Sequence, residues 1–290
     1  MHTRRNQRNL TSEQRSRFVR AVLAVKRAGG YEKYVVLHMK YFASDGETGL
    51  RMAHMAPTFF PWHRQFLIAF ERELQTHDPD VTIPYWDWTA DRTPDAPLWD
   101  ADFMGGNGRD SDGRVMDGPF AYGTGHWPIN YGVTTEKYLT RNMGRPDRPI
   151  VLPTKEEVDQ ALSIGTYDTP PWDSAPGTRG FRNRMEGWVV SDSLGGYLHN
   201  RVHQWVGGHM IGGSSPNDPV FWLHHAFIDL VWARWQRAHP RSAPYLPTSP
   251  LSQDDPQHGR VISANEQMPP FAVKPSQVYD HRRFYTYEEG

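Results

Sequence analysis

The chemistry in this chain is carried by histidine. Of its 290 residues 14 are His and none is Cys, so a bound metal would have to be held by nitrogen and oxygen. His199 and His203 are spaced i,i+4, which sets both side chains on one face of a helix about a turn apart. His38, His63 and His225 each fall on the apolar stripe of a separate helical segment, and His54 lies in the loop ahead of His63. A single inward histidine is ordinarily a hydrogen-bonded core residue. Five on four helices are hard to satisfy with ordinary partners, because each buried ring has two nitrogens to pair. A shared metal centre satisfies them together. The candidates sort into His38, His54 and His63 and into His199, His203 and His225, which suggests two metal ions, each with three nitrogens and open positions. All-imidazole ligation suits Zn, Cu, Fe or Ni. Zinc hydrolases commonly add a carboxylate or thiolate, and di-iron bundles use a Glu-x-x-His pattern that these helices lack. Copper fits two carboxylate-free sites best, and a close copper pair can take up dioxygen and oxidise a substrate.

Five segments have the helical period needed to place these side chains. The first begins at Thr11-Ser12-Glu13-Gln14, where Thr11 and Gln14 fit a capping box, and Gly29-Gly30 stops it. The second runs from about Tyr31 and aligns Tyr34, Val35, His38 and Phe42. The third opens at Pro61 and carries His63, Phe66, Leu67, Phe70 and Leu74. The fourth spans about Gly195 to Val206, with His199, Val202, His203 and Val206 aligned. The fifth has Asp218 as cap and Pro219 first, with Phe221, His225, Ile228, Asp229 and Trp232 facing inward. Strand signals are weak, as at Val81-Thr82-Ile83. These elements predict a mainly α class: a helical bundle enclosing a dinuclear copper site, with long irregular loops and few short strands.

Composition narrows the partners. Lys plus Arg number 32 against 33 Asp plus Glu, so the net charge of −1 gives no overall reason to bind nucleic acid or an anionic membrane. No apolar run approaches a membrane span. The N-terminus is basic but has no apolar h-region, which predicts either a cytoplasmic protein or one exported with a helper. The 25 Gly and 24 Pro concentrate in Thr89–Pro153 and Ala243–Pro275, read as loops wrapped over a core within one domain, 1–290. No GxGxxG or P-loop pattern points to a nucleotide.

The motifs are those of a known family. The chain resembles the short bacterial tyrosinases, which are type-3 copper proteins. The resemblance rests on Phe59-Phe60-Pro61-Trp62-His63-Arg64 with His54 and His38 upstream, and on Leu198-His199-Asn200-Arg201-Val202-His203 running on to Gly207-Gly208. It continues through Asp218-Pro219-Val220-Phe221-Trp222-Leu223-His224-His225-Ala226-Phe227-Ile228-Asp229, Ile83-Pro84-Tyr85-Trp86-Asp87-Trp88 and the tail Tyr285-Thr286-Tyr287. It implies that His38, His54 and His63 bind one copper and His199, His203 and His225 the other, with dioxygen as co-substrate. His224 is then a packed neighbour of His225. The implied reaction is ortho-hydroxylation of monophenols and oxidation of o-diphenols to o-quinones, which polymerise to melanin or enter phenolic secondary metabolites. The resemblance points to Glu186 and Asn200 as holders of the water that accepts the phenol proton. It places Gln204, His209, Ser214, Ser215 and Phe221 around the substrate, with Ile211–Ser215 as an open rim. Tyr285 and Tyr287 are expected to close against Arg4.

The chain also departs from the pattern. With no Cys, the Cys–His cross-link of fungal relatives is impossible here. His209 stands where Gln is expected, and His126 is unusual; either could be a solvated imidazole. An alternative is a catechol or o-aminophenol oxidase of the same fold with weak or no monophenol activity. A hemocyanin-like dioxygen carrier is a remote alternative, since such carriers cover the copper pair with a further domain. The resemblance also allows a caddie protein that delivers copper as a partner.

Overall fold

The computed structural model describes residues 1–147, 149–174, 179–188 and 197–288. Seven α-helices lie among them: α1 (Ser12–Arg27), α2 (Glu32–Phe42), α3 (Phe59–His77), α4 (Lys155–Leu162), α5 (Phe181–Glu186), α6 (Leu198–Val206) and α7 (Val220–Ala238). The Thr11 hydroxyl accepts from the Gln14 N–H and Gln14 reciprocates, so the predicted capping box starts α1. α3 begins at Phe59, two residues before the predicted start, and Pro61 sits in its first turn, where no N–H is needed. α6 begins at Leu198; the predicted start near Gly195 lies outside the described residues. α7 begins one residue later than predicted, with Pro219 in the cap position in place of Asp218, although the Asp218 carboxylate still accepts from the Val220 N–H.

α4 and α5 are additions to the expected set. The predicted strand at Val81–Ile83 does not form: the Ile83 N–H goes to the Glu71 carboxylate instead of a neighbouring strand. Only two short strands pair among the described residues, β1 (His2–Arg4) and β2 (Tyr285–Tyr287), in parallel with His2 opposite Tyr285. Arg4 packs over the Tyr285 ring at 3.5 Å, so the tail does close on it.

α3 packs against both α7 and α1, and α5 against α4 and α6. The α3–α7 seam is aromatic: Phe70 stacks on Trp222 at 3.8 Å and Phe66 leans on the same ring at 4.9 Å. Each fully buried ring contributes about 2–3 kcal/mol through lost contact with water, and each ring pair about 1 kcal/mol more. The long loops are held from within. Arg141 pairs with Asp218 at 2.7 Å and donates to the carbonyls of Met104, Gly105 and Gly106, fastening the irregular cover to the head of α7. No helix among the described residues is long and apolar enough to cross a membrane.

Candidate dinuclear metal centre

α2 carries His38, α3 carries His63, and the segment between them supplies His54. Ring centroids are 5.2 Å apart for His38–His54, 5.0 Å for His54–His63 and 5.8 Å for His38–His63. A second group forms where α6 meets α7. There the His203 Nε2 lies 3.0 Å from His199 Nε2 and 3.4 Å from His225 Nε2, and the last two are 3.3 Å apart. The groups abut, with His63 and His225 stacked at 4.2 Å. Phe221 walls both, 4.2 Å from His225 and 5.0 Å from His38. In each group the ligand atoms lie within 4.8 Å of one another.

Hydrogen bonds decide which nitrogen is free. The Nδ1–H of His38 donates to the Gly213 carbonyl at 2.6 Å, that of His63 to Phe59 at 2.8 Å and that of His203 to Met210 at 2.6 Å. The Nδ1–H of His199 goes to the Asn200 Oδ1 at 2.9 Å. Each bond fixes the proton on Nδ1 and leaves a lone pair on Nε2. The Nε2 atoms of His38 and His63 are buried with no partner, and those of the second group face one another. Converging lone pairs repel unless a cation lies between them, so the donor set fits two metal ions. Burial also keeps the rings unprotonated: His38 is lowered to about 3 and His203 to about 4, and His54, His63, His199 and His225 are pushed well below their usual range. Neutral imidazole is the form that binds a metal.

Two backbone positions carry strain beside these rings. Met55 follows His54 with φ 54°, and Leu198 precedes His199 with φ 42°, both left-handed and costly for a residue with a Cβ. The Met55 N–H is spent on Glu186, whose Oε1 accepts it at 2.6 Å together with the Trp188 indole N–H at 2.8 Å. The other oxygen, Oε2, accepts from Arg182 at 2.9 Å, and Asp168 braces Arg182 in turn. Burial pushes the Glu186 carboxyl up; Arg182 and the other donors pull back, and the balance stays above the usual value. Glu186 and Asn200 meet at His199 rather than at each other: the Glu186 backbone carbonyl lies 3.3 Å from its Nδ1.

Trp188, Asp168 and the Met55 N–H were not read from the sequence. Arg182 carried a signal, standing one turn before Glu186. Asn200, His203 and Gln204 share the partly exposed face of α6, and His203 is the ring of its group that reaches solvent. The expected rim is mostly covered. Ile211 is exposed, but Ser214 and Ser215 are buried, and the Gly213 carbonyl serves His38. His209 is also buried, which corrects its reading as a solvated imidazole, whereas His126 is exposed. His224 is buried beside His199 with neither ring nitrogen partnered, and its ring lies nearly parallel to that of His199 at 5.1 Å.

Two facing groups of buried imidazoles at the centre of a helical bundle define a dinuclear metalloprotein. The chain belongs to the tyrosinase family: the common central domain of tyrosinase matches residues 28–238. It is 49% identical over 289 residues to a tyrosinase of Streptomyces glaucescens, covering 99% of both chains. It is 44% identical to the grixazone synthase of Streptomyces griseus subsp. griseus over the full length of both. A polyphenol oxidase variant from Thermothelomyces thermophila shares the fold with a TM-score of 0.71 at 22% identity, over 100% of this chain and 89% of that one. The protein is thus a tyrosinase-type dicopper phenol oxidase, with two copper ions as its cofactor.

Proposed function

We propose that the chain ortho-hydroxylates monophenols and oxidises o-diphenols to o-quinones, with His38, His54 and His63 holding one copper and His199, His203 and His225 the other. The convergence of the Nε2 lone pairs carries this reading. Bound there, the copper pair supplies dioxygen activation and accepts the substrate's electrons. The rest is the work of the chain. The open face of α6 admits a phenol ring alongside His203 and Gln204, and Phe221 closes the floor. Glu186 and Asn200 hold a water that takes the phenolic proton, and burial, by raising the Glu186 carboxyl above its usual value, makes it a stronger base for that proton. Ser214, buried under the 131–133 loop, and the buried Ser215 shape the wall behind the ring.

A second reading, a catechol or o-aminophenol oxidase with weak monophenol activity, is favoured by one observation. The Glu186 oxygens already accept three N–H groups and the Asn200 Oδ1 is taken by His199. Oxygen uptake by the copper-loaded protein on tyrosine, a catechol and an o-aminophenol separates the two. Turnover of tyrosine supports the monooxygenase; oxidation of the other two alone establishes the oxidase. The depth of both histidine groups also supports a copper-delivering caddie protein, since five of the six rings are closed to solvent. Loading by free copper as fast as loading with such a helper would remove that partner. The same helper would provide a route of export.

A further inference from the structure

His209, like His224, is a buried histidine that the reaction as described leaves without a task. Its Nδ1 accepts from the Thr140 backbone N–H at 3.0 Å and from the Thr140 hydroxyl at 2.9 Å. Its own N–H donates to the Thr140 carbonyl at 3.1 Å. Residues 209 and 140 are therefore tied in both directions. The approach is close: a Cβ on Gly208, where φ is +50°, would stand 2.0 Å from the Thr140 oxygen. The next residue, Met210, supplies the carbonyl that accepts from His203 Nδ1. On the other side of the tie, Arg141 is fixed to Asp218.

We propose that His209 is a positioning residue for His203: its unprotonated Nδ1 clamps the 207–211 turn to Thr140, and the Met210 carbonyl of that turn then sets the His203 ring. The inference rests on His203 being a copper ligand. Only an acceptor can do this work at Nδ1, because a protonated ring would turn an N–H against the Thr140 N–H. The charged groups that bear on the ring are Asp218, itself paired with Arg141, and Glu136. Both favour protonation, and burial outweighs them. Folding therefore resists protonation of His209, and the clamp weakens as pH falls below the usual histidine range.

The test uses the copper-loaded full chain and two variants. His209→Gln keeps an acceptor oxygen that does not titrate; His209→Leu keeps the bulk without the acceptor. The Leu variant is expected to lose about tenfold in kcat and in retention of the second copper against a chelator, the usual effect of removing support from a ligand. The Gln variant is expected to match the parent at pH 7 and to hold its copper at acid pH where the parent releases it. In the metal-free protein, the His203 Nδ1–H resonance should broaden in the Leu variant and stay as in the parent in the Gln variant, a readout independent of activity. A Leu variant with parental kcat and copper retention would overturn the proposal. So would a Gln variant with the parent's acid profile, which needs no Leu protein. If His203→Ala still binds two coppers, the ligand assignment itself has failed, and that result is distinct from either of these.

Discussion

The two halves of the metal centre are built differently. The second half takes two rings from a single helical turn of α6 and one from α7, and its three Nε2 atoms meet within 3.4 Å. The first half spreads its rings over α2, α3 and an intervening loop, yet its ring centroids stand 5.0–5.8 Å apart, close to the 4.5–5.6 Å of the second. Helical spacing sets His199 and His203 of the second group on one turn, with the Met210 carbonyl holding the His203 ring, while the first group depends on Met55 being held at φ 54° by its bond to Glu186. One half is rigid by secondary structure. The other is rigid only because a buried carboxylate holds the loop, so the candidate proton acceptor and a ligand loop share one anchor.

The largest effect should come from breaking the rigid half. His199→Ala is expected to abolish oxygen uptake and lower copper content from two ions per chain to one, measured by elemental analysis of dialysed protein. Two retained ions would refute the grouping. Next is the shared anchor. Glu186→Gln presents an amide N–H toward the Met55, Trp188 or Arg182 donors, and general-base loss typically costs about 100-fold or more. Tyrosine turnover should fall by that order and catechol oxidation by less, with weaker binding of the first copper. Equal losses on both substrates would dismiss a role in proton transfer.

A third prediction concerns pH in the metal-free protein. His38 and His203 are held at about 3 and about 4, against about 6.5 in an unfolded chain. As pH falls from about 6.5 to about 4, the unfolded chain takes up protons that the fold refuses, so stability is lost across that window. The urea midpoint should drop there and be restored at neutral pH by added metal; a flat profile would contradict the burial of these rings. The smallest effect lies behind the second half. Asp229, one turn after His225, accepts from the Tyr285 and Tyr287 hydroxyls at 2.6 Å and pairs with Arg64. Tyr285→Phe should cost about 1 kcal/mol, or about 2–4 °C in Tm, with copper content unchanged.

The histidines were legible because helix period and residue type pointed the same way. His38, His63, His199 and His225 sit on the buried faces their spacing predicts, and His203 lies at the half-buried edge of its helix. The α1 capping box was legible for the same reason. α4 had a signal, since Thr154 and Glu157 form a second capping box, but it adjoins the Gly- and Pro-rich stretch and reads as loop. α5 has six residues, too few to show a period. The bonds that set the site were less visible. The Met55 N–H, the Met210 carbonyl and the Gly213 carbonyl are backbone groups, which any residue could offer, and only the fold says which of them face a ring.

The pairing of His2–Arg4 with Tyr285–Tyr287 has a consequence for synthesis. Arg4, Glu71, Asp229, Tyr285 and Tyr287 form one buried network joining segments from both ends of the sequence. Until the ribosome has released Tyr287, the Asp229 carboxylate behind His225 lacks two of its donors. A chain without β2 would carry every candidate ligand and keep the Arg64–Asp229 pair, but the second Asp229 oxygen would lose both of its hydroxyl donors. The strand pair thus couples two distant segments: the Asp229 network behind His225 is finished only once β2 has docked beside β1.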